Sequence, residues 1–333
     1  MDKKVKVDAA YKEFRRTRKP MEWEKARGPE YWEYRKKWEE YPKKMQVSDF
    51  PIHLDIETTN ACNLACPMCP RTIMISRGTF RKIGQMDFNF YKSLIDQAAA
   101  EGVCSVKLQY LGEPLLHPDI SRQIRYAKKK GIIEVMINTN AVLLSEKMSR
   151  EILEAGIDSI FFSVDTLDEE KYRKIRVGSD LESVLKNIKT FMRIKEKLGC
   201  RHVQTRVSKV VMPEDTPREL EKFKNFWFNE VKVDLVGFDE LVDFTSSTEQ
   251  INSGFVCAQP FQRMVILWDG RVLPCCGDVY AEYVLGDARD KTLKDIWHGS
   301  KFQKLRDKHL AGKYYEVNIC KKCYLPRAQW ERG

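Results

Sequence analysis

The chain has 333 residues, of which 43% are hydrophobic and 32% are charged, a composition typical of a globular protein rather than a disordered or fibrous one. No apolar run reaches the roughly 18 residues of a membrane-spanning helix, and the first residues lack the apolar core of a signal peptide. The formal net charge is +10, and many of the ten cysteines are grouped, which without an export signal indicates metal binding in a reducing, cytoplasmic compartment rather than disulfides.

Residues 1–48 form a basic, aromatic-rich N-terminal extension. The first fifty residues contain 15 Lys and Arg against 10 Asp and Glu, which gives +5, half of the net charge. Segments of this kind can bind nucleic acid or membrane surfaces, but here acidic residues are interspersed and no block of one charge persists. We therefore predict helices that pack on the main domain, broken in two at Gly28-Pro29, and no nucleic-acid partner.

From residue 50 the chain alternates β-branched runs with amphipathic segments. Segments 121–130, 145–155 and 180–198 are predicted to be helices, because each has Ser or Asp at its start and Gly just past its end. Six runs are predicted to be strands: 52–58, 105–111, 132–139, 159–164, 203–212 and 231–238. Alternating strands and helices imply an α/β fold with a parallel sheet and right-handed crossovers, curled into a barrel. We assign this core to residues 49–245.

The first strand leads into N-A-C-N-L-A-C-P-M-C-P at residues 60–70, which places Cys62, Cys66 and Cys69 at C-x3-C-x2-C. Three thiolates so close together can bind one centre of a soft metal. Zinc would normally recruit a second pair of ligands nearby, whereas the next cysteine is Cys104 and the nearest histidine is His53. Three ligands without a fourth indicate a 4Fe-4S cluster with one open iron.

The stretch D-I-E-T-T-N-A-C-N-L-A-C-P-M-C resembles the signature of the radical S-adenosylmethionine (radical SAM) superfamily. The resemblance implies a partial (β/α)6, TIM-like barrel in which the cluster loop follows the first strand. It also implies that the open iron holds S-adenosylmethionine, whose reductive cleavage gives a 5'-deoxyadenosyl radical. Many members carry an aromatic residue before the third cysteine, where this chain has Met68, so contact with adenine there would depend on backbone groups.

Strand ends supply the other candidates for binding S-adenosylmethionine, since functional residues of such barrels lie at the carboxyl ends of strands. Gly112 and Glu113 resemble the family's glycine–glutamate element, which holds the methionine amino group. Asn138, Ser163 and Asp165 are short polar residues that suit ribose hydroxyls and the methionine carboxylate, as in similar enzymes. Taken alone, Asn and Asp also favour the turn that follows a strand.

Candidates for the substrate pocket come from the alternation of side chains along strands. Gln204, Arg206 and Ser208 share one face of the fifth strand, and we predict that this face points into the barrel. The candidate pocket residues are Gln109, Arg206 and Asp239.

Residues 246–333 contain a second group of cysteines: Cys257, Cys275, Cys320 and Cys323, spaced C-x17-C-x44-C-x2-C. Four thiolates make a closed site. The pattern resembles the twitch form of the SPASM auxiliary-cluster domain, in which a β-hairpin and a helix bind one 4Fe-4S cluster. Cys276 cannot easily reach the same cluster as its neighbour, although it could replace Cys275. A zinc site that only braces the fold is the alternative.

The resemblance implies an oxidoreductase, because an auxiliary cluster near the substrate can accept an electron when an alcohol is oxidised. Only about fifty residues precede the barrel, fewer than the leader-binding domain of peptide-modifying relatives, which favours a small molecule. The basic charge favours an anionic sugar or cyclitol as substrate, and acidic flavodoxin or ferredoxin as electron donor. The alternatives are a peptide or protein maturase, a sugar epimerase in which Cys276 donates hydrogen, and a non-catalytic iron–sulfur protein.

Overall fold

The structure is a computed structural model that describes residues 11–242, 251 and 254–326. The strands are β1 (Tyr11–Arg15), β2 (His53–Ile56), β3 (Ser105–Lys107), β4 (Glu134–Thr139), β5 (Ser159–Ser163), β6 (Gln204–Val211), β7 (Leu235–Glu240), β8 (Arg263–Ile266), β9 (Arg271–Leu273) and β10 (Gly286–Asp287). The helices are α1 (Glu22–Lys25), α2 (Pro29–Lys43), α3 (Pro70–Ser76), α4 (Phe88–Ala100), α5 (Ile120–Lys129), α6 (Glu146–Glu154), α7 (Glu169–Ile175), α8 (Leu181–Lys197), α9 (Pro217–Phe226), α10 (Leu293–Trp297), α11 (Ser300–Leu310) and α12 (Asn318–Lys321).

Strands β2 to β7 are parallel and neighbour one another in chain order, with helices in the connections. This is the partial (β/α)6 barrel that the sequence predicts, and the prediction of the fold is confirmed. The barrel does not close, because β1 pairs antiparallel with β7 at one side and β8 pairs parallel with β2 at the other. Strands β8, β9 and β10 continue the same sheet as antiparallel neighbours.

The three predicted helices are confirmed as α5, α6 and α8, each shifted or shortened by only one or two residues. At the start of α6 the Ser145 hydroxyl accepts a hydrogen bond from Met148 N–H at 3.1 Å, and at the start of α8 Asp180 accepts one from Ser183 N–H at 2.8 Å. Gly156, just past α6, has φ +90°, a left-handed conformation that favours glycine. Local capping chemistry therefore sets these boundaries.

Two predicted strands are wrong in part. The prediction for 231–238 starts too early, because α9 runs on into a π-helical turn at Trp227–Val231, and the backbone reverses at Lys232 with φ +63° before β7 begins. The prediction for 105–111 ends too late. Regular pairing ends at Lys107, with a last bond from Leu108 N–H to the Met136 carbonyl at 2.9 Å. The chain then turns toward the cysteine loop, where Glu113 N–H donates to the Ala61 carbonyl at 2.8 Å.

The N-terminal extension is only partly helical, which corrects the prediction. Tyr11–Arg15 forms β1, which covers the backbone edge that β7 would otherwise expose. The predicted break at Gly28-Pro29 is confirmed, since Pro29 is the first residue of α2. The predicted boundary between residues 245 and 246 lies outside the described residues.

Helix α2 and the turn before it pack on the amino-terminal ends of the barrel strands. The Trp38 ring lies 5.6 Å from the ring of His53, the first residue of β2. Arg27 forms a 2.9 Å ion pair with Asp158, which immediately precedes β5. The extension therefore closes the end of the barrel opposite to the ends from which the cysteine loop and the other strand-end candidates emerge.

Within the described part of the chain, no helix combines the length and the apolar character that crossing a bilayer requires.

Candidate active site

The first cysteine site is the loop between β2 and α3. Cys69 is the N-cap residue of α3, and its N–H donates to the Cys66 carbonyl at 3.0 Å, so the loop turns tightly between the second and third cysteines. Leu64 N–H lies 3.4 Å from the Cys62 sulfur. Burial raises the pKa of the Cys62 thiol to about 11, and iron binding must therefore displace its proton.

Two longer side chains reach the sulfurs from other elements. Asn140 Nδ2 lies 3.9 Å from Cys62 Sγ, and Arg176 Nη1 lies 3.8 Å from Cys66 Sγ. Burial raises the pKa of Cys66, while the Arg176 guanidinium acts in the opposite direction. Donors aimed at sulfur stabilise thiolates and tune the potential of a cluster that they hold. The three thiols and their donors therefore fit an iron–sulfur cluster.

Gly112 and Glu113 connect β3 to this loop. A Cβ atom at Gly112 would lie 2.2 Å from the Thr59 carbonyl oxygen, so only glycine permits the close approach of the two backbones. The Glu113 carboxylate is buried and accepts hydrogen bonds from the Leu115 and Asn140 backbone N–H groups, at 3.1 and 2.8 Å, and from the Thr139 hydroxyl at 2.8 Å. Burial nevertheless raises its pKa to about 7. An ammonium group beside it would stabilise the ionised form.

Asp165, at the end of β5, holds Arg176 against the cluster loop. Its carboxylate accepts from Arg176 Nε at 2.6 Å and from Val210 N–H at 2.8 Å. Lys209 also donates to the Asp165 carbonyl oxygen. Because these contacts occupy both carboxylate oxygens, Asp165 fixes the guanidinium beside Cys66 in this structure.

A cavity of about 1040 Å³ extends from the barrel interior to exposed side chains of α2. Gln204, Arg206 and Ser208 line it, which agrees with the predicted inward face. Asn138, Ser163 and Asp165 line it as well, and Asn138 Oδ1 is buried without a hydrogen-bond partner among the described residues. At its amino-terminal end the cavity is lined by Trp38 and His53, and at another point by Cys257 and Cys276.

Four residues predicted to bind substrate or S-adenosylmethionine are absent from the described lining of this cavity: Gln109, Met68, Gly112 and Glu113. Gln109 is absent from its described lining, and its amide donates to the Tyr110 carbonyl. Met68 is half-buried in the cysteine loop and does not line the cavity either. The predictions that Gln109 contacts substrate and that Met68 contacts adenine gain no support from this arrangement.

Arg206 lies in the cavity between two carboxylates from neighbouring strands. Its Nε is 3.5 Å from Glu13 on β1, and its Nη2 is 3.9 Å from Asp239 on β7. The guanidinium carbon lies 5.1 Å from the centre of the Phe161 ring. A Cβ atom at Gly237 would come within 1.9 Å of the guanidinium, so this glycine makes room for it.

The second cysteine site forms where three separate segments meet. Cys257 precedes β8, Cys275 follows β9, and the remaining pair lies on and just after α12. Burial raises the pKa of the Cys275 thiol well above its usual value, and the charges of Cys276, Cys320, Cys257 and Cys323 act in the same direction. The structure thus gathers the four predicted thiols. Cys276 makes a different contact, since its sulfur lies 3.3 Å from the Gln259 side-chain oxygen.

The spacing of the thiols bears on the choice between zinc and a cluster. Zinc binds sulfur at about 2.3 Å, so its tetrahedral ligands lie roughly 3.8 Å apart. Within residues 11–242, 251 and 254–326, no three His, Cys, Asp or Glu side chains come close enough to hold one metal ion. In a cubane each cysteine binds a different iron, which requires a wider spacing. Both cysteine groups supply all-thiolate ligand sets of the kind that iron–sulfur clusters use.

Sequence reasoning missed three residues that touch the cysteines. Asn140 ends the N-T-N sequence, and its position past a strand could have identified it. Arg176 lies on the loop after α7 and carries no local signal. His309 lies on α11, with its Nε2 at 3.5 Å from Cys320 Sγ, and burial lowers its pKa to about 4. Contacts of this kind depend on tertiary structure.

Comparison with protein-family models gives two matches. Residues 56–227 match the Radical SAM superfamily, and residues 257–324 match SPASM, an iron-sulfur cluster-binding domain.

Among curated proteins, the chain is 25% identical to the tungsten-containing aldehyde ferredoxin oxidoreductase cofactor-modifying protein of Pyrococcus furiosus, over 82% of this chain and 87% of the relative. It is 22% identical to the S-adenosyl-L-methionine-dependent 2-deoxy-scyllo-inosamine dehydrogenase of Niallia circulans, over 84% of this chain and 94% of the relative. The cysteine spacing of the second site also predicts similarity to this dehydrogenase, and the match confirms that prediction.

Solved structures show the same fold. The crystal structure of BtrN in complex with AdoMet and 2-DOIA matches with a TM-score of 0.55 at 21% identity, over 84% of this chain and 94% of that one. Streptococcus suis SuiB bound to precursor peptide SuiA matches with a TM-score of 0.57 at 19% identity, over 87% and 75%. The chain therefore belongs to the radical SAM superfamily and is a radical SAM enzyme with a SPASM domain, whose cofactors are S-adenosylmethionine and 4Fe-4S clusters.

Proposed function

We propose that the enzyme oxidises a small polyhydroxylated substrate, a sugar or cyclitol, between its two cysteine sites. The observation that supports the proposal is one cavity that contacts both Ser163 and Asp165, which we propose to bind S-adenosylmethionine, and Cys257, which we propose to bind the auxiliary cluster. When bound, S-adenosylmethionine and the clusters supply hydrogen-atom abstraction at one side and electron acceptance at the other. At about 1040 Å³ the cavity has the size of sites that enclose drug-sized ligands. It can hold a small substrate beside S-adenosylmethionine.

Arg206 and its two carboxylate neighbours are the proposed contacts to this substrate. Ion pairs of 3.5 and 3.9 Å hold the three charged groups together at the cavity wall, where substrate hydroxyls can contact them. The guanidinium would donate to substrate oxygens, and Glu13 and Asp239 would accept from hydroxyl hydrogens. The group therefore suits a substrate with several hydroxyls.

The charge of the cavity wall refines the prediction of an anionic substrate. Its described lining contains eight Lys and Arg and seven Asp and Glu, so it is close to balanced although the chain carries +10. A substrate with several phosphates would meet many carboxylates there. We propose a substrate of low net negative charge, attracted by the protein as a whole and held by polar contacts inside.

The test is single-turnover assay of the anaerobically reconstituted enzyme with deuterated sugars and aminocyclitols. We expect deuterium in 5'-deoxyadenosine and a product that has lost two hydrogen atoms. Arg206→Gln should lose the product while 5'-deoxyadenosine still forms, and Arg193→Gln, on an exposed face of α8, is the control. Unlabelled 5'-deoxyadenosine with every small molecule would contradict the proposal. In that case peptides are the next class to screen, because SuiB was solved with a precursor peptide.

A sugar epimerase is the second candidate, and one observation favours it. Cys276 lines the cavity beside Cys257, and its hydrogen bond to Gln259 fixes a thiol there. A thiol at this position could return a hydrogen atom to a substrate radical, and the thiyl radical left behind would take one electron from the neighbouring auxiliary cluster, when bound, and one proton from solvent. Epimerisation in D2O would add one deuterium without oxidation, and Cys276→Ser would block it with the iron content unchanged. An oxidised product without solvent deuterium would exclude this candidate.

We propose that a flavodoxin or ferredoxin reduces the first cluster from the carboxyl end of the barrel. The basic N-terminal extension would be a candidate docking surface by charge alone, but its helix α2 packs on the opposite end. Its lysines also lie beside carboxylates of the same helix, such as Lys43 with Glu39 at 2.9 Å. An electron donor bound near the cysteine loop would lie closer to the first cluster than a donor bound at α2.

A further inference from the structure

His309 lies between two cysteines of the second site. Its Nδ1 accepts a hydrogen bond from the Cys257 backbone N–H at 3.3 Å, and its Nε2 is 3.5 Å from Cys320 Sγ. The side chain is buried, with 1% of the residue exposed. The ring stacks on Tyr314, with 6.1 Å between centroids and 18° between planes, and Phe255 packs against it edge-on at 6.2 Å. The imidazole is therefore fixed on both faces.

The backbone contact decides which nitrogen carries the proton. An imidazole nitrogen can accept a hydrogen bond only when it is unprotonated. Since Nδ1 accepts from Cys257, the single proton of the neutral ring is on Nε2. That N–H faces the sulfur of Cys320, and a neutral donor contributes no full positive charge to the site.

We propose that His309 is a positioning residue that donates its Nε2–H to the Cys320 thiolate and thereby raises the reduction potential of the auxiliary cluster. Hydrogen bonds to cysteine sulfur stabilise the added negative charge of a reduced cluster, and they are among the determinants of its potential. The effect would make this cluster a better acceptor for the electron that leaves the substrate. The inference rests on the proposed role of Cys320 as a ligand.

The first site carries a different donor. There the guanidinium of Arg176 approaches Cys66 at 3.8 Å, and an amide approaches Cys62. At the second site the side chain that faces the Cys320 sulfur is the neutral imidazole of His309. Replacing His309 should therefore change the reduction potential of the second cluster and leave that of the first unchanged.

The experiment uses the full chain with Cys62, Cys66 and Cys69 changed to Ala, so that only the auxiliary cluster contributes to the spectra. His309→Phe keeps a flat ring between Tyr314 and Phe255 but cannot donate. His309→Gln restores an amide donor, and His298→Gln, at an exposed histidine at the end of α10, is the matched control. The measurements are iron content, a reductive titration followed by electron paramagnetic resonance, and double resonance of the reduced cluster before and after exchange into D2O.

We expect His309→Phe to retain its iron, to have a lower midpoint potential and to lose one exchangeable proton coupling. His309→Gln should return toward the potential of the parent, and His298→Gln should match it. A parent without an exchangeable coupling, or equal potentials in the parent and in iron-loaded His309→Phe, would overturn the inference. If His309→Phe loses iron, its midpoint potential cannot be measured. The test then rests on the exchangeable proton coupling in the parent and on the midpoint potential of His309→Gln, which should lie close to that of the parent. Iron that persists after Cys320→Ala would instead show that the ligand assignment is wrong, and the inference would fall with it.

Discussion

At the first cysteine site three thiols come from one short loop, whereas at the second site four thiols come from three segments that meet only in the folded chain. The first loop is held by a cation, Arg176, which is itself fixed by Asp165. The second site is contacted by a neutral imidazole, His309. The first site can therefore assemble from one local segment with donors from the barrel, while the second requires three C-terminal segments to be folded together.

The largest expected effect is at the first site. Cys66→Ala leaves two thiolates, which cannot hold a site-differentiated cluster, so 5'-deoxyadenosine formation should fall by at least about 100-fold. Chromatography after dithionite reduction measures it. Cys200→Ala is the control, because that half-buried thiol contacts a backbone carbonyl away from both sites. An unchanged yield of 5'-deoxyadenosine in Cys66→Ala would refute the assignment.

Loss of the second cysteine site should abolish substrate oxidation but not the cleavage of S-adenosylmethionine. A chain with both Cys320→Ala and Cys323→Ala should lose about half of its iron and form no oxidised product, since two of four ligands are gone. It should still cleave S-adenosylmethionine, because the first loop and its donors are intact. Iron analysis together with both product assays tests this, and a full iron content would mean that other residues hold the second centre.

Glu113 offers a pH test of the first site. Burial raises its pKa to about 7, so in the free enzyme the carboxylate takes up a proton below that pH. Affinity for the ammonium of S-adenosylmethionine should fall by up to about tenfold per pH unit below 7. Glu113→Gln should bind about 10-fold to 100-fold more weakly and without this dependence. Equilibrium binding of S-adenosylmethionine, measured from pH 8 to 5.5, compares the parent enzyme with Glu113→Gln. If the two affinities changed in parallel with pH, the result would contradict the role of Glu113.

The same group has a predictable effect on folding. Its folded pKa lies above that of an ordinary Glu, so the folded protein binds this proton more tightly than the unfolded chain. The contribution to the free energy of unfolding is therefore complete below pH 4.5 and is lost as pH rises through about 7. The difference in melting temperature between the S-adenosylmethionine-free enzyme and Glu113→Gln should change across that window.

The smallest expected effect is on electron delivery. Changing Lys36, Lys37, Lys43 and Lys44 to Gln should leave the salt dependence of flavodoxin-driven turnover almost unchanged, because α2 packs on the far end of the barrel. Turnover with dithionite gives the baseline for each chain. A markedly flatter slope with flavodoxin in the variant would restore the N-terminal extension as a docking surface.

The parts of the fold that local chemistry determines could be predicted from the sequence. Ser145, Asp180 and Gly156 bound their helices because capping needs only neighbouring atoms. Strand β1 could not be predicted in the same way, since its charged sequence becomes a strand only beside the open edge of β7. The π-helical turn before β7 was hidden for a similar reason, because its residues suit a strand as well as a helix.

The same distinction between local and tertiary contacts applies to the candidate sites. The cysteines could be found because their spacing is visible along the chain, and Glu113 because Gly112-Glu113 resembles the family's glycine–glutamate element. Arg176 and His309 could not be, since each reaches its cysteine from another element. For Gln109 the prediction relied on a strand that is shorter in the structure. Strand β3 ends at Lys107, two residues earlier, so the alternation that would point the Gln109 side chain into the barrel no longer applies.

The pairing of β8 with β2 has a consequence for attempts to shorten the protein. Ile266 on β8 is in register with Ile56 on β2, immediately before the segment that leads to the first cysteine loop. Removal of the auxiliary domain would uncover a row of backbone N–H and C=O groups along β2, flanked by buried aliphatic side chains. Such an edge pairs readily with another chain. A truncated barrel is therefore expected to aggregate rather than to survive as a simpler enzyme, and the second domain protects the first from self-association.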